Sequence, residues 1–109
     1  MKPITFLGNT LRNLREFPES ARREAGFQLD KVQRGLTPDD FKPMPIIGSG
    51  VYEIRVRDST AAYRVIYIAK LETAVFVLHA FKKKAQRTAK SDIELAQQRL
   101  DELLRRWSR

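Results

Sequence analysis

Side chains able to grip a phosphate or move a proton crowd into one stretch, from Val51 to Lys84. Glu53, Arg55 and Arg57 lie in VYEIRVRD, Arg64 in AYRVIYIAK and His79 in AVFVLHAF, and Lys82, Lys83 and Lys84 follow at once. A guanidinium meets two phosphate oxygens together and keeps its charge in a site that would neutralise a lysine. A histidine titrates near neutrality, so His79, the only one in the chain, is a candidate acid or base. It is equally readable as a satisfied core residue, because strict alternation sets it with Val75, Val77, Phe81 and Lys83, a mostly apolar group. Glu53 is a second candidate base and shares a face with Arg55, where a salt bridge to Arg55 or Arg57 is the other reading. Arg64 interrupts a strand that is otherwise apolar, so its charge requires a partner or a use.

The elements that must hold these groups are three strands rich in β-branched and aromatic residues. Polar breaks at Asp58 to Thr60 and at Glu72 to Thr73 separate them, the pattern of an antiparallel meander. In the first, Tyr52, Ile54 and Val56 alternate with Glu53, Arg55 and Arg57, giving one core face and one basic, wet face. The second is apolar at almost every position and is predicted to be central, buried on both sides. Tyr63 and Tyr67 share a face of it, where they either stack RNA bases or belong to the core beneath the helices.

Before the meander, Ile4 to Leu7 reads as an edge strand. Asn9 or Thr10 caps a short helix with Leu11, Leu14 and Phe17 on one side, stopped by Pro18. A second helix from Glu19 carries Ala21, Ala25, Leu29 and Val32 in a stripe, and Gly35 and Pro38 end it. The two form an αα-hairpin that can lie on the sheet. Residues 37–50 hold three prolines and two glycines, so a loop is predicted, with one extended piece around Met44 to Ile47. After the strands, Ser91 and Glu94 have capping-box spacing, which starts a last helix near Ser91. Its stripe is Ile93, Ala96, Leu100, Leu103, Leu104 and Trp107, and Arg99, Arg105, Arg106 and Arg109 load its C-terminal half.

With 109 residues the chain fits one domain, taken as residues 1–109. Its 21 Lys and Arg against 13 Asp and Glu give a net charge of +8, which favours a polyanionic partner, nucleic acid first; the bland alternative is a merely solubilising charge. The absence of cysteine removes disulfides and thiolate metal sites, and one histidine removes a multi-imidazole site. No apolar run nears the ~20 residues needed to span a bilayer and no secretory signal is present, so the expected location is cytoplasmic.

Four blocks in order carry a resemblance: Tyr52 to Arg55, Tyr63 to Tyr67, Leu78 to Lys84, and Ser91 to Ala96 with Arg99. They resemble the RelE/ParE superfamily of bacterial toxins, and within it the phage-derived, HigB-like branch. The resemblance implies an α+β, RelE-like fold with the order β-α-α-β-β-β-α: an antiparallel sheet with the αα-hairpin on one face, a basic concave face opposite, and a C-terminal helix. It also implies a toxin that cleaves messenger RNA, often on the ribosome, without metal or cofactor, restrained by a helix-turn-helix antitoxin. Some relatives instead poison DNA gyrase, and a degenerate copy would survive as a binding module.

Cleavage of that kind uses the ribose 2′-hydroxyl as nucleophile. It needs a base, cations for the dianionic phosphorane, and an acid for the leaving 5′-oxygen. By resemblance Arg64 serves the scissile phosphate with Arg55, Lys83 is the basic residue nearest the leaving group, and Glu53 and His79 are the proton-transfer candidates. Lys82, Lys84, Arg57 and Arg87 are the RNA-backbone contacts. Two departures stand out. Some relatives carry lysine where Glu53 stands, and no tyrosine follows Tyr67 to supply the C-terminal acid found in others.

Overall fold

A computed structural model describes residues 1–84 and 86–107, the last by its backbone alone. In chain order the elements are β1 (Ile4–Phe6), α1 (Thr10–Arg15), α2 (Glu19–Gln33), β2 (Phe41–Pro43), β3 (Val51–Arg57), β4 (Ala62–Ile68), β5 (Val75–Lys82) and α3 (Lys90–Trp107). The strands form one sheet in the order β1-β5-β4-β3-β2. The meander β3-β4-β5 is antiparallel, as the alternation predicts. The sheet as a whole is mixed, because β1 crosses to the far edge and pairs with β5 in parallel, Ile4 opposite Val75. That corrects the purely antiparallel expectation. Through α1 and α2 the chain passes from β1 at one edge to β2 at the other, which runs opposite to β1, and only β5, at the end of the meander, comes to lie beside β1 in the same direction.

The two faces of the sheet carry separate cores. On one, Leu14, Phe17, Ala21, Ala25, Leu29 and Val32 of the α1–α2 hairpin cover Ile54, Val56, Tyr63, Val65, Tyr67 and Val77. The α2 stripe therefore packs as its spacing predicts, and Tyr63 and Tyr67 are core residues. On the other, Ala96, Leu100 and Leu103 of α3 press onto Val51, Ile66, Ile68, Phe76 and Leu78, with Met44 and Ile47 closing the side. At Gly48 a Cβ would stand 2.4 Å from the Leu100 side chain, so the loop before β3 passes directly against α3.

Four local readings change. The extended piece of the 37–50 loop is Phe41–Pro43, pairing with β3 from Lys42 opposite Glu53, whereas Met44 to Ile47 is a turn closed by Ile47 N–H donating to the Met44 carbonyl. Pro43 is tolerated on this edge strand because its nitrogen faces away from β3, and the ladder passes it through Met44 N–H donating to the Val51 carbonyl. The last helix begins at Lys90, beside Ser91 as expected, with Ile93 N–H bonded to the Ala89 carbonyl. Glu94 there pairs with Lys90 at 3.8 Å instead of closing a capping box with Ser91. Asn9 stands at the α1 N-cap but its side chain makes no cap hydrogen bond, because Arg99 Nη2 donates to its Oδ1 at 2.7 Å. Leu104, placed on the buried stripe by spacing, is 39% exposed. The Trp107 side chain and Arg109 lie outside the described residues.

Candidate nucleic-acid interface

α3 covers the end of its face formed by the start of β3 and the end of β4. The opposite end, where β3 finishes and β4 begins, is left for the charged residues. Cross-strand pairing fixes their rows. Arg55 lies directly opposite Arg64, Glu53 opposite Ile66, and Lys42 of β2 opposite Glu53. Lys83, just past β5, donates its N–H to the Ala62 carbonyl, two residues from Arg64. Lys42, Glu53, Arg55, Arg64 and Lys83 thus share one face, and like charges set opposite each other on paired strands repel.

Glu53 holds this arrangement together. It is 2% exposed and Arg64 3%, with Arg64 Nε 3.4 Å from Glu53 Oε1. Its other oxygen accepts a 2.7 Å hydrogen bond from the Thr88 hydroxyl. Of the two readings of Glu53, the ion pair is the one present, with Arg64 as partner in place of Arg55 or Arg57. Arg64 also donates to the Tyr63 carbonyl at 3.0 Å. Even so, among the described residues the buried Arg55 Nε has no hydrogen-bond acceptor, and the buried Arg64 Nε has only the long contact to Glu53. Unsatisfied buried donors on neighbouring guanidiniums are uncommon in a purely structural pair and suit an anion that completes them.

These groups line a cleft of about 930 Å³ between β2, the end of β3 and the first turns of α3. Lys42, Glu53, Arg55, Lys83, Arg87, Thr88 and Lys90 face it, with Pro45 and Ile46 as an apolar lip. A shallower hollow of about 500 Å³ continues it past Lys83 to Arg57, Arg64 and Lys84. Burial lowers the Arg64 pKa from its ordinary value, Glu53 opposes that shift, and Arg55 adds to it. The Lys83 pKa is lowered too, by desolvation first and then by Arg64 and Arg55, with Glu53 opposing. The cleft therefore pairs two permanent cations with one lysine whose proton is loosened.

His79 is elsewhere. A register shift between Ile66 and Tyr67 leaves Leu78 as an extra residue in β5, so His79 pairs with Ile66 and Val77 with Tyr67. The bulge turns His79 onto the α3 face and away from Val75 and Val77, against strict alternation. There it stacks on Phe81 at 4.7 Å, and its Nε2 is 2.7 Å from Asp92 Oδ1 in the first turn of α3. Burial lowers its pKa below 6.5 although Asp92 pulls it up, so near neutral pH the ring is neutral and Nε2–H donates to the carboxylate. Arg99 Nη1 donates to the Leu78 carbonyl at 2.8 Å and fastens the bulge to the helix. His79 opens on a neighbouring cleft of about 660 Å³, lined with Lys82 and Asp92 and sharing Lys83, Lys84 and Arg87 with the basic cleft and its extension. Lys82 pairs with Tyr63 and so belongs to the opposite face from Lys83.

Of the residues singled out from sequence, the chain gathers Glu53, Arg55, Lys83 and Arg87 in one cleft, with Arg57, Arg64 and Lys84 in its extension. His79 and Lys82 line the neighbouring cleft, which shares Lys83, Lys84 and Arg87 with these two. Sequence reasoning passed over Lys42, Thr88 and Asp92. Lys42 lay in a proline-rich loop, and Thr88 carries no charge to mark it. Asp92 had a visible signal as an acid in a helix's first turn. Among the described residues no group of acidic, histidine or cysteine side chains could hold a metal ion.

A family model described as phage-derived protein Gp49-like (DUF891) matches residues 12–101. The chain belongs to this Gp49-like family. It is a RelE-like toxin family of toxin–antitoxin systems, which implies an antitoxin partner in general. The matched span runs from α1 to within α3 and so contains the whole basic cleft of the Gp49-like chain. No curated protein matches the chain. No helix among the described residues is long and apolar enough to cross a membrane.

Proposed function

We propose that this Gp49-like chain is the toxin of a HigB-like module and a metal-independent endoribonuclease that cuts messenger RNA on the ribosome. The observation that carries the reading is the facing pair Arg55 and Arg64 beside a basic cleft and its extension, with the buried Arg55 Nε lacking an acceptor among the described residues. A scissile phosphate bridging the two guanidiniums relieves their repulsion and gains stabilisation as its charge grows toward the phosphorane. Lys83, with its lowered pKa, gives its proton to the departing 5′-oxygen as the P–O5′ bond breaks, while the 2′-hydroxyl passes its proton to solvent water and its oxygen bonds to phosphorus, leaving a 2′,3′-cyclic phosphate. Arg57, Lys84, Arg87 and Lys42 hold the flanking phosphates. Glu53 keeps Arg64 in place, and His79 fixes the bulge against α3. In this reading both are positioning residues. A helix-turn-helix antitoxin encoded beside the gene is the matching partner.

The test is cleavage of a short messenger RNA on programmed ribosomes by the purified chain, beside the same RNA carrying a single 2′-deoxy substitution at the cut position. Loss of cutting at that position alone supports the scheme, whereas equal cutting of both rejects 2′-hydroxyl attack. One observation favours a second reading, a binding module without chemistry. Both candidate bases are already engaged, Glu53 by Arg64 and Thr88 and His79 by Asp92. RNA bound tightly and left intact, on and off the ribosome, is the result that reading requires.

A further inference from the structure

The opposite end of the sheet, on the other face, carries a cleft of a different chemistry. Its volume is about 610 Å³, and it lies between the C-terminal end of α2, the chain start, and the ends of β3 and β4. Three aromatic rings cross three strands here. Phe41 meets Tyr52 edge-on at 5.6 Å, and Tyr52 stacks on Tyr67 at 6.0 Å. Phe41 is 38% exposed and Leu36, on the rim, 55%. The Tyr67 hydroxyl is pushed up to about 12, by burial first and then by Tyr52, so the floor stays uncharged.

The charges on the rim are almost all committed. The Lys2 ammonium donates to the carbonyls of Ala69 and Leu71, and Arg34 pairs with Asp30 at 3.0 Å. Lys70, beside Gly50, is the exception, with no ion pair among the described residues. No acidic side chain is found among the described lining residues. A strand of RNA needs several free cations along its backbone. This cleft offers one, set against a broad apolar and aromatic floor.

We infer that the cleft formed by Leu36, Phe41, Tyr52 and Tyr67 is a protein-docking site that takes an apolar anchor side chain, leucine or phenylalanine, flanked by a carboxylate that meets Lys70. Charge complementarity selects that occupant, because the chain is strongly basic and the one uncommitted group on the rim is a cation. An aromatic pocket with one uncommitted charged side chain at its rim is the architecture of a small interface centre. The site shares no lining residue with the basic cleft, so an occupant leaves the RNA-facing residues uncovered.

The test is selection of a displayed library of random twelve-residue peptides against the full chain. Winners are counter-screened on a Leu36→Ser/Phe41→Ser variant and on Lys70→Glu, both at exposed positions. The expected result is enrichment of peptides joining Leu or Phe to Asp or Glu, bound at least tenfold more weakly by each variant. RNA binding and any RNA cleavage by both variants stay at the wild-type level, so failure here is separable from failure of the nuclease reading. No enrichment, or winners indifferent to both variants, overturns the inference. Two other results do the same: oligouridylate binding that falls tenfold in the variants, which makes this an RNA site, and a dimer in sedimentation that the serine variant dissolves, which makes it a self-association face.

Discussion

Replacing Glu53 with alanine removes the carboxylate paired with Arg64 and leaves a guanidinium that is 3% exposed with only the weaker influence of Asp40 to offset it. Breaking a buried pair from one side costs about 3–5 kcal/mol, because the remaining charge stays desolvated. A domain of this size has only ~5–15 kcal/mol in total and loses ~4–8 °C of melting temperature per kcal/mol. Thr88 also loses its acceptor, and with it the tie between the basic segment and the sheet. The melting temperature by circular dichroism should therefore fall by at least ~12 °C. Exchanging the whole pair, Glu53→Leu with Arg64→Met, removes both charges and should recover most of that loss, since apolar replacement of a buried pair is often neutral or better. A Glu53→Ala protein melting within ~4 °C of wild type would refute the claim that Glu53 neutralises Arg64. The same reasoning makes Arg64→Ala a poor probe of chemistry. It strands the Glu53 carboxylate, so lost activity would not separate catalysis from folding.

Further outcomes follow from the geometry. Gly48→Ala places a methyl 2.4 Å from Leu100 and should destabilise by about 1–3 kcal/mol, but by much less in a Leu100→Ala background where that space is empty; urea unfolding of the four proteins reads the coupling. His79 has a folded pKa below its ordinary 6.5, so the unfolded chain binds the proton first. Stability should be fully present above that value and decline as pH falls through it toward the folded pKa, a slope that His79→Gln flattens in thermal melts between pH 7.5 and 5.5. If Lys83 is the acid, the alkaline limb of kcat/KM lies below 10.5 and moves upward in Lys83→Arg, whereas an unmoved limb assigns it to another group.

Much of the fold was legible in the chain. The apolar run of β4 and the α2 stripe named the residues they bury, because the pattern and the structure share a period, whereas alternation in β3 named Ile54 and Val56 but set Glu53, which is 2% exposed, on a face read as wet. What escaped depends on distant or irregular pairing. Nothing local states that Ile4–Phe6 joins β5 in parallel, or that a three-residue strand ends at Pro43. The bulge at Leu78 is the instructive case. One extra residue moved His79 from the hairpin face to the α3 face, and every parity argument beyond it had to change. At the site, Arg55 and Glu53 were placed on their shared face by alternation. Lys42 and Thr88 reached the cleft only through tertiary contacts.

The measurement that bears most directly on the central claim is the mapping of new RNA 5′ ends within minutes of inducing the chain alone in a bacterial host, beside Arg55→Met and Lys83→Met variants whose melting temperatures match wild type. The account predicts ends clustered inside translated frames, with 2′,3′-cyclic phosphates on the upstream fragments, lost in both variants. Growth arrest with intact transcripts, or cleavage undiminished in the two variants, would contradict it.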